Sequence, residues 1–95
     1  MPTQVQVLIP TALRAHTGDQ ATLSLAADNI GDLLSLLRRN HPSLGQKLFR
    51  ETGELNRFIN IYVNGEDIRF LENRETVLKD GDEVALIPAI AGGRE

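Results

Sequence analysis

Few residues in this 95-residue sequence could carry chemistry through a side chain. There is no cysteine, which removes a thiol nucleophile, disulfides, Cys-ligated zinc and iron–sulfur clusters together. The two histidines, His16 and His41, lie in a connection and before Pro42, and neither has a partner at metal-ligand spacing. They read as surface or capping residues, and no bound metal is expected. The acidic run Lys79-Asp80-Gly81-Asp82-Glu83 is far shorter than a calcium-binding loop of roughly 12 residues, and a turn before a strand explains it. No glycine-rich phosphate loop leads into a helix. What remains is the end of the chain, where Gly92 and Gly93 precede Arg94 and Glu95. Ala91, Gly92 and Gly93 carry almost no side-chain bulk, which suits a carboxylate that must thread into a narrow active site of another enzyme. A flexible terminus accounts for the same residues. Fully extended, the stretch from Pro88 to Gly93 would reach roughly 20 Å.

The rest of the chain must position that terminus. Its length fits one domain, here residues 1–88, followed by a flexible tail at 89–95. With 41% hydrophobic and 24% charged residues it reads as soluble and globular. A net charge of −3, and no basic run beyond Arg38-Arg39, argue against a nucleic-acid partner. No basic segment followed by a long apolar run opens the chain, and no run approaches the roughly 20 apolar residues of a membrane helix. Neither a signal peptide nor a membrane partner is expected, and a cysteine-free domain suits the cytoplasm.

Hydrophobic periodicity sets the elements. Val5, Val7 and Ile9 alternate with Gln4, Gln6 and Leu8, as in a strand with one buried face. Residues 11–20 read as a connection turning near Gly18-Asp19, and Leu23 and Leu25 mark a second strand, antiparallel to the first. Ile30, Leu33, Leu34 and Leu37 form a helical stripe, with Asp28 or Asn29 as cap and Pro42 as stop. A shorter second helix is expected from Ser43, with Ser43 and Gln46 at capping-box spacing and Gly53 as C-cap. Ile59, Ile61 and Val63 form one face of a third strand before the tight-turn pair Asn64-Gly65. The charged stretch Gly65–Glu75 reads as a solvated face. Val84 and Leu86 alternate with Ala85 and Ile87 in a last strand that Pro88 weakens.

The order β-β-α-(α)-β-β predicts an α+β fold in two layers. First and last strands side by side would give a β-grasp, with one mixed sheet on one main helix; a ferredoxin-like fold or another α+β roll competes. Helices on one side leave the other sheet face uncovered. Leu8, Phe58, Tyr62, Ala85 and Ile87 would point outward there, and such an apolar face suits a protein partner.

The stretches "VNGEDIR" and "LKDGDEV", the ending "PAIAGG" and the helix "NIGDLLSLLRRNHP" resemble the ubiquitin-like sulfur carriers of the ThiS and MoaD kind, nearest to the CysO type. The resemblance implies a β-grasp fold and a carrier that is not itself an enzyme. It holds no bound cofactor; ATP is used by an activating partner enzyme that adenylates the terminal glycine carboxylate. Sulfur then replaces an oxygen to give a thiocarboxylate, which donates sulfide to an acceptor synthase. For the CysO type this is a cysteine synthase-like enzyme; for the other types it is the molybdopterin or thiamin pathway. Carried onto this sequence, Gly93 is the group activated and Gly92 and Ala91 the slim approach. Leu8, Phe58, Tyr62 and Ile87 are docking candidates. Family members end at Gly-Gly, so the Gly93–Arg94 bond becomes a processing bond for a metallopeptidase that removes Arg94-Glu95. A small subunit of molybdopterin synthase and a protein modifier joined through Gly93 are the alternatives.

Overall fold

The computed structural model describes residues 3–56 and 58–88. Strand β1 (Gln4–Leu8) leads into a 3₁₀ helix (Thr11–Thr17) and β2 (Thr22–Ala26). Helices α1 (Ile30–Asn40) and α2 (Pro42–Leu48) follow, then β3 (Ile59–Val63) and the two-residue β4 (Glu66–Asp67). Two 3₁₀ turns, Ile68–Phe70 and Asn73–Glu75, precede β5 (Glu83–Pro88). The sheet order is β2-β1-β5-β3-β4. β1 and β5 run parallel at its centre, with Val7 opposite Val84 and Leu8 opposite Ala85, while the remaining pairs are antiparallel. That parallel pair makes the fold a β-grasp and sets aside the ferredoxin-like alternative.

Alternation decides which side of the sheet is buried. Val5, Val7, Ile61, Val63, Val84 and Leu86 turn inward and meet Ile30, Leu33, Leu34 and Leu37 of α1. Burying each such side chain is worth about 1.5–3 kcal/mol against exposure. α1 starts at Asn29, whose side chain accepts a hydrogen bond from the Asp32 N–H at 2.8 Å. The acidic turn before β5 is a clasp. Asp80 accepts from the Gln4 N–H at 2.9 Å, and the Gly81 N–H donates to the Gln4 carbonyl at 2.7 Å. Asp82 accepts from the Lys79 N–H and the Asn64 side chain, each at 2.9 Å. These carboxylates are thus turn acceptors, and they tie the start of β1 and the β3–β4 turn to β5. At that β3–β4 turn Asn64 (φ 51°) and Gly65 (φ 89°) are both left-handed, as a two-residue hairpin requires.

The connection after β1 turns at Gly18 and Asp19 (φ 64° and 65°), as expected; within it Pro10 opens a 3₁₀ helix that buries Leu13, and the buried Thr17 hydroxyl donates to the Gln20 carbonyl at 2.9 Å. Three expectations need correction. α2 starts one residue early, because Pro42 takes the first helical position, so Ser43 caps nothing. Its C-cap is Phe49; Gly53 instead turns the following loop, its N–H donating to the Arg50 carbonyl at 2.8 Å. Residues 65–75 are not merely a solvated face: they supply β4, bury Asp67 and Ile68, and make five strands of the expected four.

Gly45 is buried where α2 crosses α1. A Cβ there would lie 2.8 Å from Arg38 Cγ and 3.1 Å from Arg38 Cα. Ala in place of Gly inside a helix is ordinarily worth up to about 1 kcal/mol of stability. Gly45→Ala should instead lower the melting temperature, which thermal unfolding followed by circular dichroism would show.

Candidate functional site

The outer sheet face is divided. Toward β2 it is polar: Gln6 donates to the Ser24 hydroxyl at 3.3 Å, and that hydroxyl donates to Gln4 at 3.2 Å. Toward β3 it is apolar. Leu8, Ala85 and Tyr62 form a row across three strands, because Ala85 of β5 is the partner of both neighbours. Ile87 follows on the same face opposite Asn60, and Phe58 stands at the start of β3. Leu8, Phe58 and Ile87 are 37%, 51% and 44% exposed, whereas Tyr62 and Ala85 are half-buried. The pleat explains the arrangement: each outward residue alternates with an inward core residue. The structure thus places Leu8, Tyr62 and Ile87 on one sheet face, with the exposed Phe58 immediately before β3.

β5 ends at Pro88, opposite Ile59, so the described chain stops beside Phe58 and Ile87. Ala91, Gly92, Gly93 and Arg94 lie outside the described residues.

Beside the apolar row, Asp67 pairs with Tyr62 across β3 and β4. Its buried carboxylate accepts from the Arg69 N–H at 2.8 Å and from the Arg69 guanidinium at 2.7 Å. Arg69 also reaches Asn60 at 3.3 Å. The Arg69 side chain, then its backbone N–H, holds the Asp67 carboxyl below its ordinary pKa, against the opposing effect of burial. The same hydrogen bond raises the Arg69 guanidinium. The spacing Asp-x-Arg before a turn was the available sequence signal for this lock. Two exposed hydrophobics, Phe70 (84%) and Val77 (67%), carry no periodic signal in the sequence. Among the described residues, no three His, Asp or Glu side chains gather as metal ligands would.

A family model described as the ThiS family matches residues 7–93. The chain is 45% identical over 91 residues to the sulfur carrier protein CysO of Mycobacterium tuberculosis, covering 94% of this chain and 98% of that protein. The crystal structure of the BexX/CysO complex of Amycolatopsis orientalis contains a chain matched with a TM-score of 0.84 at 39% identity, covering 94% of this chain and 99% of that one. The solution structure of small archaeal modifier protein 1 from Methanosarcina acetivorans matches with a TM-score of 0.86 at 34% identity, over 98% and 99% of the two chains.

A depressed Asp67 pKa contributes stability that is present above the ordinary carboxylate range and lost as pH falls through the folded value. Asp67→Asn should therefore be less stable than the native protein at pH 7, with the gap closing below about pH 4. Urea midpoints measured across that range would show it.

Proposed function

The chain belongs to the ThiS family, and from that membership we propose that it is a ubiquitin-like sulfur carrier working through Gly93. The observation that carries the proposal is the extent of the family match, which runs to residue 93 and stops before Arg94-Glu95. A carrier of this kind needs no catalytic side chain, because its own terminus is the reactive group. That agrees with a cysteine-free sequence in which no nucleophile, base and orienting group stand at a useful spacing.

The steps follow from carboxyl chemistry. While Gly93 is in peptide linkage to Arg94 it has no carboxylate to activate. A metallopeptidase adds water across that bond and releases Arg-Glu. An activating enzyme then joins the freed carboxylate to the α-phosphate of ATP, releasing pyrophosphate. A sulfide donor displaces AMP and leaves the thiocarboxylate. An acceptor synthase takes the sulfur, and water adds to the acyl carbon to supply the oxygen that restores the Gly93 carboxylate. Because relatives at 45% identity are named CysO, cysteine formation is the proposed destination. The apolar row of Leu8, Tyr62, Ile87 and Phe58 is the proposed docking surface for the activating enzyme, since it borders the strand from which the terminus continues.

Small archaeal modifier protein 3 of Haloferax volcanii, 36% identical over 64 residues, favours a second reading, conjugation of Gly93 to protein amines. Incubation with the peptidase, activating enzyme, ATP and sulfide, followed by intact mass, separates the two. The carrier reading predicts loss of Arg-Glu and then an oxygen-to-sulfur mass increment. An unchanged mass contradicts both readings; higher-mass adducts that vanish on deletion of Gly93 favour conjugation. Leu8→Asp should raise the KM of the activating enzyme for the carrier about tenfold, since a charge replaces an apolar contact at a buried interface. Unchanged kinetics with a folded variant would remove the docking assignment.

A further inference from the structure

The tight turn between β3 and β4 holds a reactive pair that the sulfur-carrier reading does not use. Asn64 is the asparagine of this chain that precedes a glycine; the others precede isoleucine, histidine or arginine. An asparagine side-chain amide lies within reach of the next residue's backbone nitrogen, and a glycine there puts no side chain in the way. Asn64 and Gly65 are both exposed, and nothing stands within 4 Å of where a Gly65 Cβ would be. Among the described residues, the Gly65 N–H donates to no backbone carbonyl. The nucleophile of a ring closure is therefore uncommitted and open to solvent hydroxide.

The electrophile, by contrast, is held. The Asn64 side-chain N–H donates to Asp82 Oδ1 at 2.9 Å, and its Oδ1 accepts from the Glu83 N–H at 3.0 Å. The Asn64 backbone N–H donates to the Glu83 carbonyl at 2.8 Å. Asp82 precedes β5 and Glu83 opens it, so the amide is tied to the entry of that strand. Attack by the Gly65 nitrogen turns the planar Asn64 Cγ tetrahedral, which carries its oxygen and nitrogen off the line of both side-chain bonds. The Asp82 carboxylate also opposes the negative charge that gathers on the amide oxygen. Both effects slow ring closure in the folded chain.

We propose that Asn64 is a site of spontaneous deamidation, and that its two side-chain hydrogen bonds to the entry of β5 hold the rate down while the chain is folded. The Gly65 nitrogen bonds to Asn64 Cγ, the bond from Cγ to the side-chain nitrogen breaks, and that nitrogen leaves as ammonia with the Gly65 proton. The product is a five-membered succinimide. Water opens it at Cγ to give aspartate, or at the Asn64 backbone carbonyl carbon to give isoaspartate. Nothing is oxidised or reduced. Aspartate has lost the N–H donor, so a second carboxylate faces Asp82 across the former 2.9 Å contact. Isoaspartate puts an extra methylene into a two-residue turn whose geometry sets the pairing of β3 with β4. Either product loosens the clasp on β5, the strand that leads to the terminus.

The test is incubation of the full chain in water enriched in heavy oxygen, followed by peptide mapping with mass spectrometry. The heavy atom enters as the ring opens, which separates conversion during the incubation from conversion before it. Label should enter Asn64 faster than the exposed Asn40 at the end of α1, and at least about tenfold faster again in denaturing urea, where both hydrogen bonds are lost. Asp82→Ala should speed entry at least about threefold in the folded chain. Asp80→Ala breaks the neighbouring contact with Gln4 and none with Asn64, and should leave the rate unchanged. Circular dichroism checks that each variant is folded; if Asp82→Ala unfolds, the native chain in buffer against urea decides alone. Asn64→Asp, the direct product, should melt below the native chain at neutral pH. The proposal is overturned by label entering Asn64 no faster than Asn40, by equal rates in buffer and urea, or by Asp80→Ala speeding entry as much as Asp82→Ala. A native melting temperature for Asn64→Asp would overturn the loosening of β5.

Discussion

The parallel pairing of β1 with β5 is the constraint on which the rest of this structure depends. It joins the two ends of the described chain at the centre of one sheet, and nothing local enforces it. Antiparallel neighbours need only a turn, whereas parallel neighbours need a crossover. Here β1 and β5 are joined through all the intervening elements, with the helical stretch between β2 and β3 crossing from one side of the central pair to the other and α1 supplying its apolar stripe. With the helices on one side, the core forms there and the other sheet face stays open. The clasp built by Asp80, Gly81 and Asp82 on Gln4 and Asn64 holds the entry to β5, so the strand is fixed at both flanks before it reaches Pro88.

That arrangement separates tasks by face. Inward residues of β1, β3 and β5 are fully committed to the core. Outward residues of the same strands are left free to be selected for contact, and their apolar row stops where the described chain stops. Asp67 and Arg69 close the edge of that row with a charged lock that satisfies a buried carboxylate. In the helical layer, Arg38 and Arg74 stack on Phe49 where α1, α2 and the turn before β5 meet.

Much of this was legible in the sequence, for identifiable reasons. Ile30, Leu33, Leu34 and Leu37 repeat at helical spacing, and Val5, Val7 and Ile9 alternate, so element type followed from period alone. The outward placement of Leu8, Tyr62 and Ile87 followed from the same alternation. Which strand lies beside which did not, since pairing is non-local; the family resemblance supplied the β-grasp order. Pro42 displaced the expected cap at Ser43 because a fixed φ at the first helical position outweighs a side-chain hydrogen bond. Asp67 read as solvated because its partner is two residues away in a turn rather than on a periodic face. The Phe49 stack joins three elements, and no pattern within any one of them announces it.

The central claim is that this chain acts through the carboxylate of Gly93, exposed only after Arg94 is removed. ATP–pyrophosphate exchange catalysed by the activating enzyme tests it most directly, because exchange requires a free terminal carboxylate to adenylate. A chain ending at Gly93 should support exchange and the full-length chain should not. Equal exchange with both chains, or none with either, would contradict the account.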